Sequence, residues 1–190
     1  MGTQCGCPKR ETVRKKPEPV KTGTIYIPKE IRELHKEVTL TIDIFFVNQI
    51  PFFITLSRVI YFTTVTHLPN RSLGEIFKAF KGIFYYYLQC GFRITFVTGD
   101  GEFSSLEQFT NLLVGAPRLN LTSANEHEPF IERRIRVVKE RVRSIRHSLP
   151  LQTIPKTILT HMVFYAVKLL NYFPVKGGVS EIYGPMAVMS

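Results

Sequence analysis

The chain holds fifteen acidic residues but only two aspartates, Asp43 and Asp100. Asp43 lies inside the apolar run Ile42-Asp43-Ile44-Phe45-Phe46, and Asp100 follows the apolar stretch Arg93–Gly99. An ionised carboxylate among apolar neighbours is costly unless it is paired or binds a metal. Glu132 opens a long segment of helical periodicity and offers a third carboxylate. Two strand aspartates converging with one helix glutamate would hold one or two Mg²⁺ or Mn²⁺ ions through oxygen ligands. Such a site activates a water or hydroxyl nucleophile and stabilises the leaving oxygen of an in-line phosphodiester displacement. The plainer alternatives are that Asp43 points outward from a half-exposed sheet and that Asp100 caps a turn.

Glu132 comes with cations. It lies about 100° round the helix from Ile131, at the border of an apolar stripe. Steps of four, seven and eleven residues from it reach Arg136, Lys139 and Arg143, so one flank carries a carboxylate and then three cations. The whole chain has 190 residues and a net charge of +10. Residues 133–146, beginning at Arg133, hold seven basic and one acidic side chain, and residues 9–21 hold six basic and two acidic, while the rest balances. Two basic segments on a neutral body point to a polyanion, nucleic acid first and an anionic membrane second.

The elements that must position these groups are legible in outline. Residues 1–36 contain Pro8, Pro17, Pro19 and Pro28 and little apolar periodicity, which predicts a basic, flexible linker. Residues 37–187 form the expected folded core. Val38, Leu40, Ile42 and Ile44 alternate with Thr39, Thr41, Asp43 and Phe45, the period of a strand. Pro51 is expected to break this run before a second strand at Phe52–Arg58, and Tyr61–Leu68 reads as a third, giving an antiparallel meander. Ser72 and Glu75 suggest a capping box before a helix ended by Gly91. Arg93–Thr98 reads as a strand, Ser105 and Gln108 as another cap, and Arg118–Thr122 as a fifth strand. Ile131, Ile135, Val138, Val142, Ile145 and Leu149 mark a long helix, and a last one runs from Pro155 to Pro174. This order predicts an α/β, RNase H-like fold: a five-stranded mixed sheet with helices on both faces.

Other classes are excluded. No apolar run reaches the ~20 residues of a membrane span, and the basic N-terminus lacks the apolar region of a signal peptide. Cys5, Cys7 and Cys90 are too few and odd in number for a disulfide framework, which suggests a reducing compartment. Cys5 and Cys7 are either incidental thiols or the remnant of a zinc module.

The ordered set Asp43-Ile-Phe-Phe-Val-Asn-Gln-Ile-Pro-Phe-Phe, Gly99-Asp100-Gly-Glu-Phe103, Asn125-Glu-His127 and Ile131-Glu132-Arg133-Arg134 resembles the integrase core of copia-type retrotransposon polyproteins. The likeness spans about Thr12 to Ala187. The resemblance implies a retroviral-integrase-superfamily core with Asp43, Asp100 and Glu132 as catalytic metal ligands for Mg²⁺ or Mn²⁺. It implies trimming of element DNA ends and their transfer into double-stranded target DNA, with Arg136 and Lys139 meeting the DNA end. It further implies a homodimer or higher oligomer, no membrane partner, and an intracellular role, nuclear at integration and within a cytoplasmic particle before it. Two features depart from the family pattern: only 31 residues separate Asp100 from Glu132, and Glu128-Pro129-Phe130 replaces the usual Asn-Gly step. The competing readings are an inactive RNase H-like module that binds nucleic acid or dimerises, and an RNase H-type nuclease.

Smaller signals remain open. Glu102 is a substitute ligand or a solvated turn residue. His127 contacts phosphate or makes a local hydrogen bond. Tyr85, Tyr86 and Tyr87 fan round one helix, so some pack inward and one faces a partner. Arg133 and Arg143 extend the expected DNA contact, whereas Arg141, Arg146 and His147 read equally as a solvated face.

Overall fold

The computed structural model describes residues 26–121 and 129–190. Strands β1 (Glu37–Val47), β2 (Ile50–Ser57) and β3 (Thr63–His67) form the expected antiparallel meander. Asn48 and Gln49, at φ 48° and 64°, join β1 to β2. Positive φ at both positions is the twist-matched two-residue hairpin turn. Pro51 does not break the run as the sequence suggested, because β2 starts at Ile50 and Pro51 pairs with Phe46. Its carbonyl accepts the Leu68 N–H at 3.1 Å, just past the end of β3. The missing proline N–H therefore falls where the ladder runs out, a tolerated place.

Helix α2 (Leu73–Gln89) then crosses to β4 (Arg93–Gly99), which pairs parallel with β1. Ser72 makes no side-chain cap bond, contrary to the capping-box expectation. Instead Asn70 Oδ1 accepts the Ser72 N–H at 2.8 Å, so the turn before the helix is fixed by asparagine. Gly91, at φ 83°, ends the helix as expected. The Phe92 N–H bonds the Tyr87 carbonyl at 2.9 Å and the Gly91 N–H bonds that of Leu88 at 3.0 Å, a Schellman closure. A 3-10 turn at Gly101–Leu106 runs into α3 (Glu107–Thr110) without the cap expected at Ser105. Strand β5 (Arg118–Leu121) completes a sheet of order β3-β2-β1-β4-β5.

Helices α4 (Pro129–Ser148) and α5 (Lys156–Tyr172) cover one face. The α2 helix, the 3-10 turn and α6 (Pro185–Met189) cover the other. Strand β1 is therefore buried on both sides: Val38, Leu40 and Ile42 join the α2 core, and Phe45 joins the α4/α5 core. The stripe of α4 is used as its spacing requires, with Ile131, Ile135, Val138 and Val142 buried and Ile145 and Leu149 packed at the margin. Buried Asn171 ties α5 to the sheet, accepting the Thr63 N–H at 2.9 Å and donating to the Thr63 carbonyl at 2.8 Å. Within the stretch read as linker, α1 (Lys29–Leu34) forms, held by an Arg32 bond to the Cys90 carbonyl at 2.8 Å.

Of the three tyrosines, Tyr87 is fully buried while Tyr85 and Tyr86 are exposed. The Tyr87 hydroxyl makes no well-formed hydrogen bond among the described residues, although the Ser57 side chain acts on it, and burial drives its pKa above the usual tyrosine value. An unsatisfied buried hydroxyl costs more than a methine in its place. Tyr87→Phe should thus leave stability unchanged or raise it by up to ~1 kcal/mol in urea melts. A clear loss would show that the hydroxyl is bonded.

Candidate active site

The parallel pairing of β1 with β4 sets up the acidic corner. Thr41 and Thr98 are register partners, and their hydroxyls share a hydrogen bond of 2.9 Å. Two residues on, along each strand, come Asp43 and Asp100, on the same face as the threonines by the two-residue period. Asp100 keeps extended backbone, φ −71° and ψ 159°, as it leaves β4. Ile54 lies opposite Asp43 across the β1–β2 ladder and belongs to the core beneath α4 and α5. The Asp43 face is therefore the α4 face, and Glu132 stands exposed in the first turn of that helix.

The electrostatics of Asp43 report on this neighbourhood. Its pKa is raised from the usual 3.8 to about 6, chiefly by burial. The Ile44 N–H, 2.6 Å from Oδ1, works against the rise. The negative charges of Asp100, Glu102 and Glu132 add to it. Glu102 is ion-paired with Arg71, whose guanidinium also lies 5.7 Å from the centroid of the Phe46 ring. Arg71 escaped the sequence reading because nothing local marks a loop arginine as the partner of a residue 31 positions away.

Gly99 is the one glycine in this corner that sterics demand. A Cβ there would lie 2.8 Å from Ile42 Cγ1 and 3.1 Å from both the Ile42 carbonyl oxygen and Phe103 Cδ2. Gly99→Ala should cost about 1–3 kcal/mol as overpacking. It should also displace Asp100, readable by chemical denaturation and by the chemical shifts of Asp43. Unchanged values for both would mean that β1 and β4 have slack at this point.

The donors in the corner are charged oxygens, the type that hard divalent cations take. Among the described residues, however, no group of three or more His, Cys, Asp or Glu side chains is assembled closely enough to hold a metal ion. His127 and the rest of the loop leading into α4 lie outside the described residues.

The cations of α4 divide by environment. Arg133 and Arg136 are exposed. Lys139 is half-buried, its ammonium 5.9 Å from the centroid of the Phe45 ring. Arg134 turns the other way, 6.0 Å from the Tyr61 ring centroid, and burial lowers its pKa. Arg143 lines a cleft together with Arg146 and His147, two residues whose sequence pattern did not separate them from a solvated face.

No family model matches the sequence, and no curated protein does. Solved structures do match it, 306 chains in all, so the likeness does not hang on one comparison. Among them is the magnesium-bound, dimeric form of the HTLV-2 integrase catalytic core domain, at 10% identity and a TM-score of 0.58. The match covers 82% of this chain and 97% of that one. The fold is that of an integrase catalytic core. In this integrase-core fold the central strand carries Asp43, the adjacent parallel strand runs out at Asp100, and the helix over that face begins beside Glu132. The RNase H-like architecture expected from element order is thus the one observed. Among the described residues, no helix is long and apolar enough to cross a membrane.

Proposed function

We propose that this chain is the catalytic core of a copia-type retrotransposon integrase. It is a metal-dependent polynucleotidyl transferase that trims element DNA ends and joins them to target DNA. The observation that carries the reading is the placement of the half-buried Asp43 on the central strand, beside the parallel strand that ends at Asp100 and under the helix that carries Glu132, on a fold that integrase cores share. Asp43, Asp100 and Glu132 would hold Mg²⁺ or Mn²⁺, which when bound supplies the charge that activates the attacking oxygen and stabilises the leaving one. Arg136, Lys139, Arg143 and Arg133 grip the phosphate backbone, and His127, five positions before Glu132 in the sequence, is a further proposed phosphate contact. The protein works as a homodimer or higher oligomer inside the cell, in the nucleus when integration occurs.

A strand-transfer assay on short duplexes tests this directly. Product should form only with Mg²⁺ or Mn²⁺ and should vanish in Glu132→Gln. Activity surviving that change removes Glu132 from the site, and cutting confined to the RNA of a hybrid would make the protein a ribonuclease. In metal-free binding titrations, Arg136→Ala and Lys139→Ala should each flatten the salt dependence by about one unit of slope. An unaltered slope argues against phosphate contact there.

The second reading is an inactive module of the same fold that binds nucleic acid or dimerises. It is favoured by the lack, among the described residues, of three metal-ligating side chains in one group. Metal-independent DNA binding without strand transfer would be its signature.

A further inference from the structure

The turn between β2 and β3 holds a residue in a conformation that its type does not favour. Tyr61 sits at φ 60°, in the left-handed region where a bulky side chain is uncommon and strained. Hydrogen bonds around it hang the turn on the sheet. The Tyr61 N–H bonds the Ser57 carbonyl at 3.0 Å, and the Ser57 hydroxyl accepts the Phe62 N–H at 2.9 Å. The Arg58 N–H reaches the Thr39 carbonyl of β1 at 3.0 Å.

This backbone delivers the Tyr61 ring to the start of α4. Its centroid lies 5.3 Å from that of Phe130, and the Arg134 guanidinium is 6.0 Å from it. Arg58 closes the row, 5.9 Å from the Phe130 ring centroid. The segment after α5 also meets the Tyr61 ring, since a Cβ at Gly178 would lie 3.6 Å from Tyr61 Cδ2. The order is thus Arg58, Phe130, Tyr61, Arg134, with two half-buried rings between two cations. Ring pairs and cation–ring contacts of this kind are attractive, the more so when partly desolvated.

The row holds the back of a helix turn. Phe130 and Arg134 are about 40° apart round α4, and Glu132 lies roughly 160–200° from them, on the opposite side. Buried Ile131 and Ile135 select the face that α4 turns to the sheet. Apolar burial is non-directional, however, and does not fix where along its axis a helix comes to rest. Glu132 and Asp43 repel each other, which pushes the helix start away from β1. The Tyr61 row opposes that push from a turn bonded to β1, the strand that carries Asp43.

We propose that Tyr61 is a positioning residue for Glu132: its ring, clasped by Phe130 and Arg134, sets the first turns of α4 and so the reach of the Glu132 carboxylate into the acidic corner. The catalytic use of Glu132 rests on the integrase reading given above, whereas the clasp itself does not.

Tyr61→Gly tests the idea, because glycine takes a positive φ without strain and leaves the path of the turn unchanged while the ring is removed. In the metal-free protein, hydrogen exchange in the first turns of α4 should quicken roughly tenfold, the scale of a lost ring pair and cation contact. Exchange in β1 and α5 should stay as in the parent. In strand transfer with Mg²⁺, kcat should fall roughly 10²-fold, as for a small misplacement of a reacting group, with KM for the DNA unchanged. Tyr61→Phe restores the ring and should recover both readings. Phe130→Leu keeps an apolar side chain but loses the ring pair, and should reproduce the glycine variant. An unchanged kcat in both ring-deleted variants overturns the proposal, and so does a fall in kcat accompanied by faster exchange throughout the protein, which is a merely structural role. Exchange that quickens only at the start of α4, in a protein whose parent shows no strand transfer, would keep the clasp and remove the integrase reading, so the two failures are distinguishable.

Discussion

Asp43→Asn should abolish strand transfer and at the same time make the protein more stable above pH 6. The loss follows from taking a charged oxygen out of the proposed metal set, where several kcal/mol of transition-state stabilisation amounts to at least ~10³-fold in rate. The gain follows from linkage. An acid whose folded pKa is raised from 3.8 to about 6 binds its proton more tightly in the folded state. Its ionisation therefore opposes folding. The penalty is absent well below pH 4, grows as pH rises between the two pKa values, and is complete above about 6. The full shift corresponds to roughly 3 kcal/mol, and solvent reaching the half-exposed side chain reduces this to about 1–2 kcal/mol. Asparagine keeps the shape and removes the charge. Melting curves of parent and variant should thus differ at pH 7.5, with the variant higher, and converge near pH 4. Mg²⁺ should raise the melting temperature of the parent at pH 7.5 and not that of the variant. Equal stability at pH 7.5 would mean that Asp43 is neither desolvated by burial nor held among other negative charges, and the acidic corner would lose its physical basis.

Such a trade of stability for charge is the kind of local conflict that marks functional positions, and in the sequence it showed only in part. Asp43 was conspicuous because it interrupts an alternation of β-branched and apolar residues, a pattern that one strand contains in full. The strand, its neighbours in the meander and the stripe of α4 were legible for the same reason: each is a periodicity within one element. The partnership of Asp43 with Asp100 was a different matter. It depends on a parallel pairing whose register shifts between Val38 and Thr39, and no local pattern encodes which strands lie side by side or where they slip. The meander is legible, but the place of its first turn, at Asn48 and Gln49, is not, because Pro51 looks like a breaker, whereas its carbonyl bond to Leu68 and the end of β3 make it harmless. Ser72 had the right residue type and spacing for a cap, and Asn70 took the bond instead. Glu102 looked like a spare ligand or a bare turn residue, and its ion pair with Arg71 is a tertiary fact. Charge on α4 was visible as a total. Its division into Arg134 against Tyr61, Lys139 over Phe45 and Arg143 with Arg146 in a cleft needed the packing of the helix on the sheet.

Phe52→Ala should be the most damaging of the core changes on the site's side of the sheet, costing about 3–5 kcal/mol. Phe52 is completely buried on β2 and meets three rings. It stacks on Phe45 with centroids 5.5 Å apart, and meets His67 at 5.8 Å and Phe164 of α5 at 6.5 Å edge-on. Removing it deletes both the buried area and the contacts of a close-packed ring cluster, and the ladder on either side of β2 leaves little room for collapse. The damage should not stay in the core. Phe45 is the shelf over which the Lys139 ammonium sits, so a void beneath Phe45 loosens the seat of a cation proposed to hold phosphate. The variant should show a large fall in the urea midpoint with the slope m retained. Below its unfolding range, it should also show a reduced salt dependence of DNA binding. Phe53→Ala supplies the control, since Phe53 is equally buried but faces Phe103 and the α2 core. It should cost comparable stability and leave the salt dependence intact. If both variants weakened the salt dependence alike, Lys139 would owe its position to the fold as a whole and not to the Phe45–Phe52 stack. A cost below ~2 kcal/mol for Phe52→Ala would mean that the α4/α5 layer is docked on the sheet by other contacts.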